Sequence, residues 1–173
     1  EEFDWKTIQK KIQNNPFITD KNAKPRVLTI TQSTYDGVLY NVEMIKEMLD
    51  GKVDTLHFDE AWLPHATFHD FYKDMHAIGK DRPRSKESMV FSTQSTHKLL
   101  AGLSQASQIL VQDSESNKLD NDCFNEAYLM HTSTSPQYAI IASCDVAAAM
   151  MEAPGGTALV EESIREALDF RRA

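Results

Sequence analysis

Three short apolar runs limit how this chain can fold more than any other feature: Arg26-Val27-Leu28-Thr29-Ile30, Val53 to Phe58, and Met89 to Thr93. The first is β-branched and apolar without clean alternation, the pattern of a strand buried on both faces of a parallel sheet. The amphipathic stretch Val42 to Leu49 supplies a helix between the first two runs, so the chain reads as α/β. In an open parallel sheet, ligands bind at the carboxyl ends of the strands. The residues after each run therefore mark the candidate site. They are Thr31 to Gly37, with Ser33 and Thr34 on the crevice loop, then Asp59-Glu60-Ala61-Trp62, then Ser95-Thr96-His97-Lys98-Leu99-Leu100.

The last of these segments sets one lysine in a short polar turn between two apolar runs. Hydroxyl and imidazole groups beside it suit an anionic ligand. Burial and polar neighbours make a lysine amine easier to deprotonate, and the neutral amine can attack a carbonyl. An ordinary surface lysine after a strand has the same local look, as a helix N-cap or loop acid does for Asp59. The hexapeptide alone does not separate these readings.

The rest of the chain frames the turns. Trp5 to Ile12 reads as a short helix and Asn14 to Lys24 as a polar loop, so residues 1–25 form a lead-in and 26–173 the domain proper. Leu63 to Lys86 is an irregular excursion. Its His65, His69 and His76 lack the glutamate that a zinc-protease motif needs, and no metal is expected. Ser107 to Gln112 is a further strand. Phe124 to Met130 is a short helix, and Thr132 to Pro136 a hydroxyl-rich break. Tyr138 to Met151 is a nearly apolar helix expected to be buried against the sheet or a partner. Pro154-Gly155-Gly156 breaks the chain before a last helix over Ala158 to Arg172.

Composition excludes several classes. The 173 residues are 41% hydrophobic, enough for one domain with a sizeable core. A formal charge of −8 sets the net field against nucleic acid or an anionic membrane surface, so neither is expected as a partner. No run approaches the ~18 apolar residues of a membrane span. The opening Glu1-Glu2-Phe3-Asp4 is unlike a signal peptide, and Cys123 and Cys144 have neither metal-like spacing nor a disulfide framework. A cytoplasmic setting is the expectation.

Four segments, in order, resemble one family. Thr34-Tyr35-Asp36-Gly37, His57-Phe58-Asp59-Glu60-Ala61-Trp62, Ser95-Thr96-His97-Lys98-Leu99-Leu100 and Met130-His131-Thr132-Ser133-Thr134-Ser135-Pro136 are similar to motifs of the bacterial ornithine/lysine/arginine decarboxylases. The likeness covers nearly the whole chain. These are pyridoxal-phosphate enzymes of the aspartate-aminotransferase fold (fold type I), so the resemblance implies part of their large, mostly parallel-sheet domain. It implies that Lys98 holds pyridoxal 5'-phosphate as a Schiff base and that Asp59 pairs with the pyridine nitrogen. A carboxylate there favours the protonated ring, which must accept the electron pair left when carbon dioxide departs. Ser95 and His97 correspond to phosphate donors and Trp62 to a residue packing beside the cofactor. The resemblance also implies that Thr132 and Ser133 lie on a loop that reaches a phosphate or active site across the interface of a homodimer or higher oligomer.

The implied reaction is decarboxylation of a basic amino acid. Val38-Leu39-Tyr40-Asn41 and Thr93 to Lys98 look closer to lysine decarboxylases, with cadaverine as product, whereas Glu60 looks closer to arginine decarboxylases; ornithine is the third substrate of the family. Aminotransferases share the lysine and aspartate roles, but the His97 motif and the run from His57 to Trp62 set this chain apart from them. A non-catalytic interaction module is disfavoured by the intact Asp59 and Lys98. Family members also carry an N-terminal wing, an earlier part of the cofactor domain and a C-terminal domain. The chain is therefore expected to be a central piece of a longer polypeptide, inactive alone.

Overall fold

The computed structural model describes residues 3–80 and 82–173, and Glu1, Glu2 and Asp81 lie outside them. Among these residues the chain forms α1 (Trp5–Gln13), β1 (Val27–Thr31), α2 (Val42–Leu49), β2 (Thr55–Asp59), two 3-10 turns (Ala66–Phe68 and Asp70–Tyr72), β3 (Met89–Gln94), α3 (Thr96–Leu99), β4 (Gln108–Gln112), α4 (Asn121–His131), α5 (Tyr138–Met151) and α6 (Gly155–Arg172). The sheet order is β1-β2-β3-β4. The first three strands are parallel and β4 is antiparallel to β3. The fold is thus the α/β class expected, with a mostly parallel sheet.

Alternation along the strands builds the core. Leu28, Ile30, Leu56, Phe58 and Val90 share one face and pack with Val42, Ile45 and Leu49 of α2, together with Val53 and Ala77. Burying a side chain such as Phe58 contributes roughly 1.5–3 kcal/mol. Helix α2 begins where the Asn41 carboxamide oxygen accepts the Met44 amide at 2.9 Å, an N-cap that satisfies one otherwise unpaired donor. Beyond its other end lies Gly51 at φ +75°, where a side chain would be strained. Asp50 then accepts the amides of Lys86, Glu87 and Ser88 at 2.8, 2.9 and 3.0 Å, which ties the return of the long excursion to the end of α2. Burial pushes the Asp50 carboxyl up, but these amides outweigh it and hold it below the usual carboxylate range.

Two sequence expectations need correction. The run at Arg26 to Ile30 is not buried on both faces: β1 is an edge strand, Ile30 alone within it is buried, and Val27, Thr29 and Thr31 are exposed. Its alternate residues face a side that no described element covers. Of the two covers expected for the apolar helix α5, sheet or partner, the sheet is not the one it packs on. Ala147 and Met151 are its buried residues, while Tyr138, Ile141, Val146 and Met150 are exposed. A helix apolar on every side can bury one stripe against a single neighbour, here α6. The break before α6 is also shorter than expected, since Gly155 and Gly156 already belong to the helix. An added Cβ at Gly156 would come to 2.9 Å from the Met151 Cα, so close backbone approach requires glycine there.

Candidate active site

The ladder between β2 and β3 sets the geometry. Register pairs Thr31 with Asp59 and Asp59 with Thr93, so all three lie in one row at the carboxyl ends of the parallel strands. Asp59 is the last residue of β2, where the sequence pattern places it just beyond the strand. Its Oδ1 accepts the Ala61 amide at 3.1 Å. No hydrogen bond to Oδ2 is present among the described residues. Two positions earlier on the same face, His57 bridges Thr29 Oγ1 at 3.2 Å and Thr93 Oγ1 at 3.0 Å.

Strand β3 delivers Lys98 by a tight turn. Ser95 is the N-cap residue of the one-turn helix α3, and the Lys98 amide donates to its carbonyl at 3.1 Å. The Lys98 side chain is half-buried, with Nζ 4.7 Å from the centre of the Trp62 ring. Trp62 in turn meets Tyr35 edge-on, ring centres 5.5 Å apart. The crevice loop after β1, the turn after β2 and the turn after β3 thus converge on Lys98. His97 donates both its amide and Nδ1–H to the Ala106 carbonyl, at 3.1 and 2.9 Å, which fixes the tautomer because a carbonyl only accepts. Between Ser95 and His97, the Thr96 hydroxyl is buried with no protein partner, as is that of Ser33 on the crevice loop. Ser33 is bridged to Leu39 across the turn that Gly37 closes at φ +80°.

Thr132 and Ser133 stand apart. Thr132 Oγ1 donates to the Tyr128 carbonyl at 2.9 Å and Ser133 Oγ to that of Ser135 at 3.4 Å, both exposed, and no hydrogen bond joins them to the Lys98 cluster among the described residues. The three excursion histidines go to separate partners. His69 Nε2 donates to Glu161 at 2.6 Å, and His76 Nε2 accepts from Arg82 Nε at 3.4 Å. His65 stands edge-on to Tyr72 with ring centres 5.1 Å apart. Burial pushes His65 and His76 below the usual imidazole range.

Sequence reasoning missed a buried polar layer beneath the site. Glu60 is fully buried on the face opposite Asp59, and its carboxylate accepts from Ser92 Oγ at 2.6 Å, Gln94 Nε2 at 2.9 Å and the Ala77 amide at 2.5 Å. Burial pushes its carboxyl up, while Ser92, Gln94, the Ala77 amide and the charge of Lys46 pull the other way. A signal for this layer does exist in the sequence. Ser92 and Gln94 follow Val90 on the buried side of β3, and Lys46 interrupts the apolar stripe Val42, Ile45, Leu49 of α2.

Comparison with known proteins shows the family. Residues 1–173 match the family described as Orn/Lys/Arg decarboxylase, major domain. The chain is 52% identical to lysine decarboxylase LdcA of Pseudomonas aeruginosa over 99% of its own length and 23% of that protein's. It is 45% identical to the biodegradative arginine decarboxylase of Escherichia coli over 100% of its length and 23% of that protein's. The solved structure of lysine decarboxylase A from Pseudomonas aeruginosa superposes with a TM-score of 0.89 at 51% identity, covering 99% of this chain and 23% of that one. The chain spans about a quarter of the length of the curated relatives it matches. With three of the four motifs at the strand ends and the match running from first residue to last, this chain belongs to the ornithine/lysine/arginine decarboxylases, as part of their major domain.

Proposed function

We propose that the protein containing this chain is a cytoplasmic, pyridoxal-phosphate-dependent decarboxylase of a basic amino acid, with lysine preferred and arginine or ornithine next. The observation that carries the proposal is the placement of Asp59 at the end of β2 and of Lys98 on the turn after the adjacent parallel strand β3, with Trp62 against the lysine amine. The groups present fit the cofactor. A lysine amine is available for covalent attachment, and Asp59 Oδ2 is unengaged among the described residues and suits a pyridinium N–H. The unpartnered buried hydroxyl of Thr96, between Ser95 and His97, suits an ester phosphate.

When bound, pyridoxal phosphate supplies the electron sink for the pair left behind as the substrate carboxylate leaves as carbon dioxide. Asp59 holds a proton on the pyridine nitrogen by charge and hydrogen bond. Lys98 would hold the cofactor covalently through its amine, the group that a substrate α-amine would have to replace. Ser95 would orient the phosphate, His97 would meet it through Nε2 only with a proton on that nitrogen as well, since Nδ1–H is taken by Ala106, and Trp62 would shield one side of the pocket from water. Thr132 and Ser133, exposed in one chain, serve the site of a second subunit in a homodimer.

The test is carbon dioxide release by the full-length protein supplied separately with lysine, arginine and ornithine. Release from at least one of them, fastest from lysine, is expected. Transamination without carbon dioxide, or no reaction with any of the three, overturns the proposal.

A further inference from the structure

Resting on the function proposed above, we infer that Glu60 is a positioning residue, whose buried carboxylate locks the two strand ends that carry Asp59 and Lys98 into one fixed relation. Glu60 directly follows Asp59 in the chain, and Gln94 directly precedes the turn that delivers Lys98. One carboxylate oxygen of Glu60 accepts from both Ser92 and Gln94 of β3, at 2.6 and 2.9 Å. Its backbone amide donates to the Thr93 carbonyl at 2.9 Å, so main chain and side chain grip β3 together at three consecutive residues.

The grip extends outward. Gln94 Oε1 accepts from Gln108 Nε2 at 2.7 Å, which brings in β4. The other Glu60 oxygen takes the Ala77 amide, and the Ala77 carbonyl accepts Lys46 Nζ at 3.2 Å. One residue, through its two flanking peptides, thus stands between the buried Glu60 carboxyl and a buried cation of α2, which is 3% exposed. A buried carboxylate with every near group donating to it is costly to disturb and is stiff while intact. Stiffness in this place matters because Asp59 ends the same strand on its other face and Lys98 lies on the turn that Gln94 leads into. Misplacement of about an ångström costs roughly a hundredfold in rate.

The experiment uses the full-length, cofactor-loaded protein and reads kcat, KM and the pH midpoint of the bound cofactor's visible absorbance change. Glu60→Gln keeps the shape but turns one acceptor into a donor facing donors. It is expected to lower kcat roughly ten- to a hundredfold, with KM changed less than about threefold, and to move the absorbance midpoint by about half a pH unit or more. Leu56→Val, a core change of comparable cost that touches neither strand end, is expected to leave that midpoint in place. If Glu60→Gln does not fold, Ser92→Ala carries the same test by removing one donor, with a smaller shift in the same direction. Midpoints of the folded variants that superimpose on the parent overturn the inference. Lys98→Ala keeps the two failures apart: if it retains the parental spectrum and activity, the proposed function is wrong, whereas its loss of both beside unmoved Glu60 and Ser92 variants sinks the positioning role alone.

Discussion

The Lys98 amine lies over the face of Trp62, 4.7 Å from the ring centre, on a turn held to β3 by the Ser95 carbonyl. A cation over an indole at partial burial is worth roughly 0.5–2 kcal/mol. The ring therefore parks the amine at the mouth of the crevice rather than in open solvent. Trp62→Leu in the full-length protein is expected to weaken pyridoxal phosphate binding about tenfold, read by fluorescence titration. Affinity within about twofold of the parent would remove Trp62 from the site.

Lys98 is expected to carry the cofactor covalently. Borohydride reduction of the loaded protein followed by peptide mapping should place the pyridoxyl group on Lys98, and label on another lysine contradicts the assignment. The partner on the adjacent strand should act on turnover more than on retention. Asp59→Asn fills the same space without the charge, and electrostatic groups of this kind are worth roughly 10²–10³ in rate. Parental turnover in that variant would exclude Asp59 as the pyridine partner.

Glu60 makes stability depend on pH in a defined direction. Its folded carboxyl is raised above the ordinary value by burial, with Ser92 and Gln94 of β3, the Ala77 amide and Lys46 of α2 opposing. A raised carboxyl contributes stability that is fully present below the unfolded value of about 4.3 and is lost as pH rises through the folded value. The difference in unfolding free energy between parent and Glu60→Gln, measured by denaturant titration across pH, should therefore favour the parent most in acid and shrink as pH rises. A difference that is flat or grows with pH contradicts this account.

Gly156→Ala should destabilise the α5–α6 corner. The added methyl would press on the Met151 backbone, which lacks the give of a side chain end. Overpacking of this kind costs roughly 1–3 kcal/mol. Lowered Tm with unchanged cofactor spectra is the expected pair of results, and an unchanged Tm would show that the corner relaxes freely.

Much of this architecture is legible in the residues. Phe58 and Val90 sit in short apolar runs whose carboxyl ends mark the crevice, where Asp59 closes β2 and Lys98 stands in the polar turn after β3. The direction of β4 is not legible, because the link from Gln94 to Gln108 is long enough for either sense of pairing. The open side of β1 and the bare flank of α5 escape for a different reason. Apolar composition at Val27 or Val146 reports that a surface avoids water, and only the packed chain shows whether anything covers it. Glu60 escapes because its meaning lies in Ser92 and Gln94, distant in sequence and adjacent across the ladder.

Ala77, gripped by Glu60 at its amide and by Lys46 at its carbonyl, divides the excursion between β2 and β3 into two parts of unequal licence. Both ends of the excursion are anchored, at Asp59 by the ladder and at Lys86 to Ser88 by Asp50. Insertions near the exposed Asp70 and Phe71, or near the exposed Arg84, can lengthen the loop without shifting either reacting group, because neither end feels the change. At His76 to Ile78 that freedom ends. A single added residue there would withdraw the amide from Glu60, so natural variation in length, and any engineered insertion, should be admitted on either side of Ala77 and refused at it.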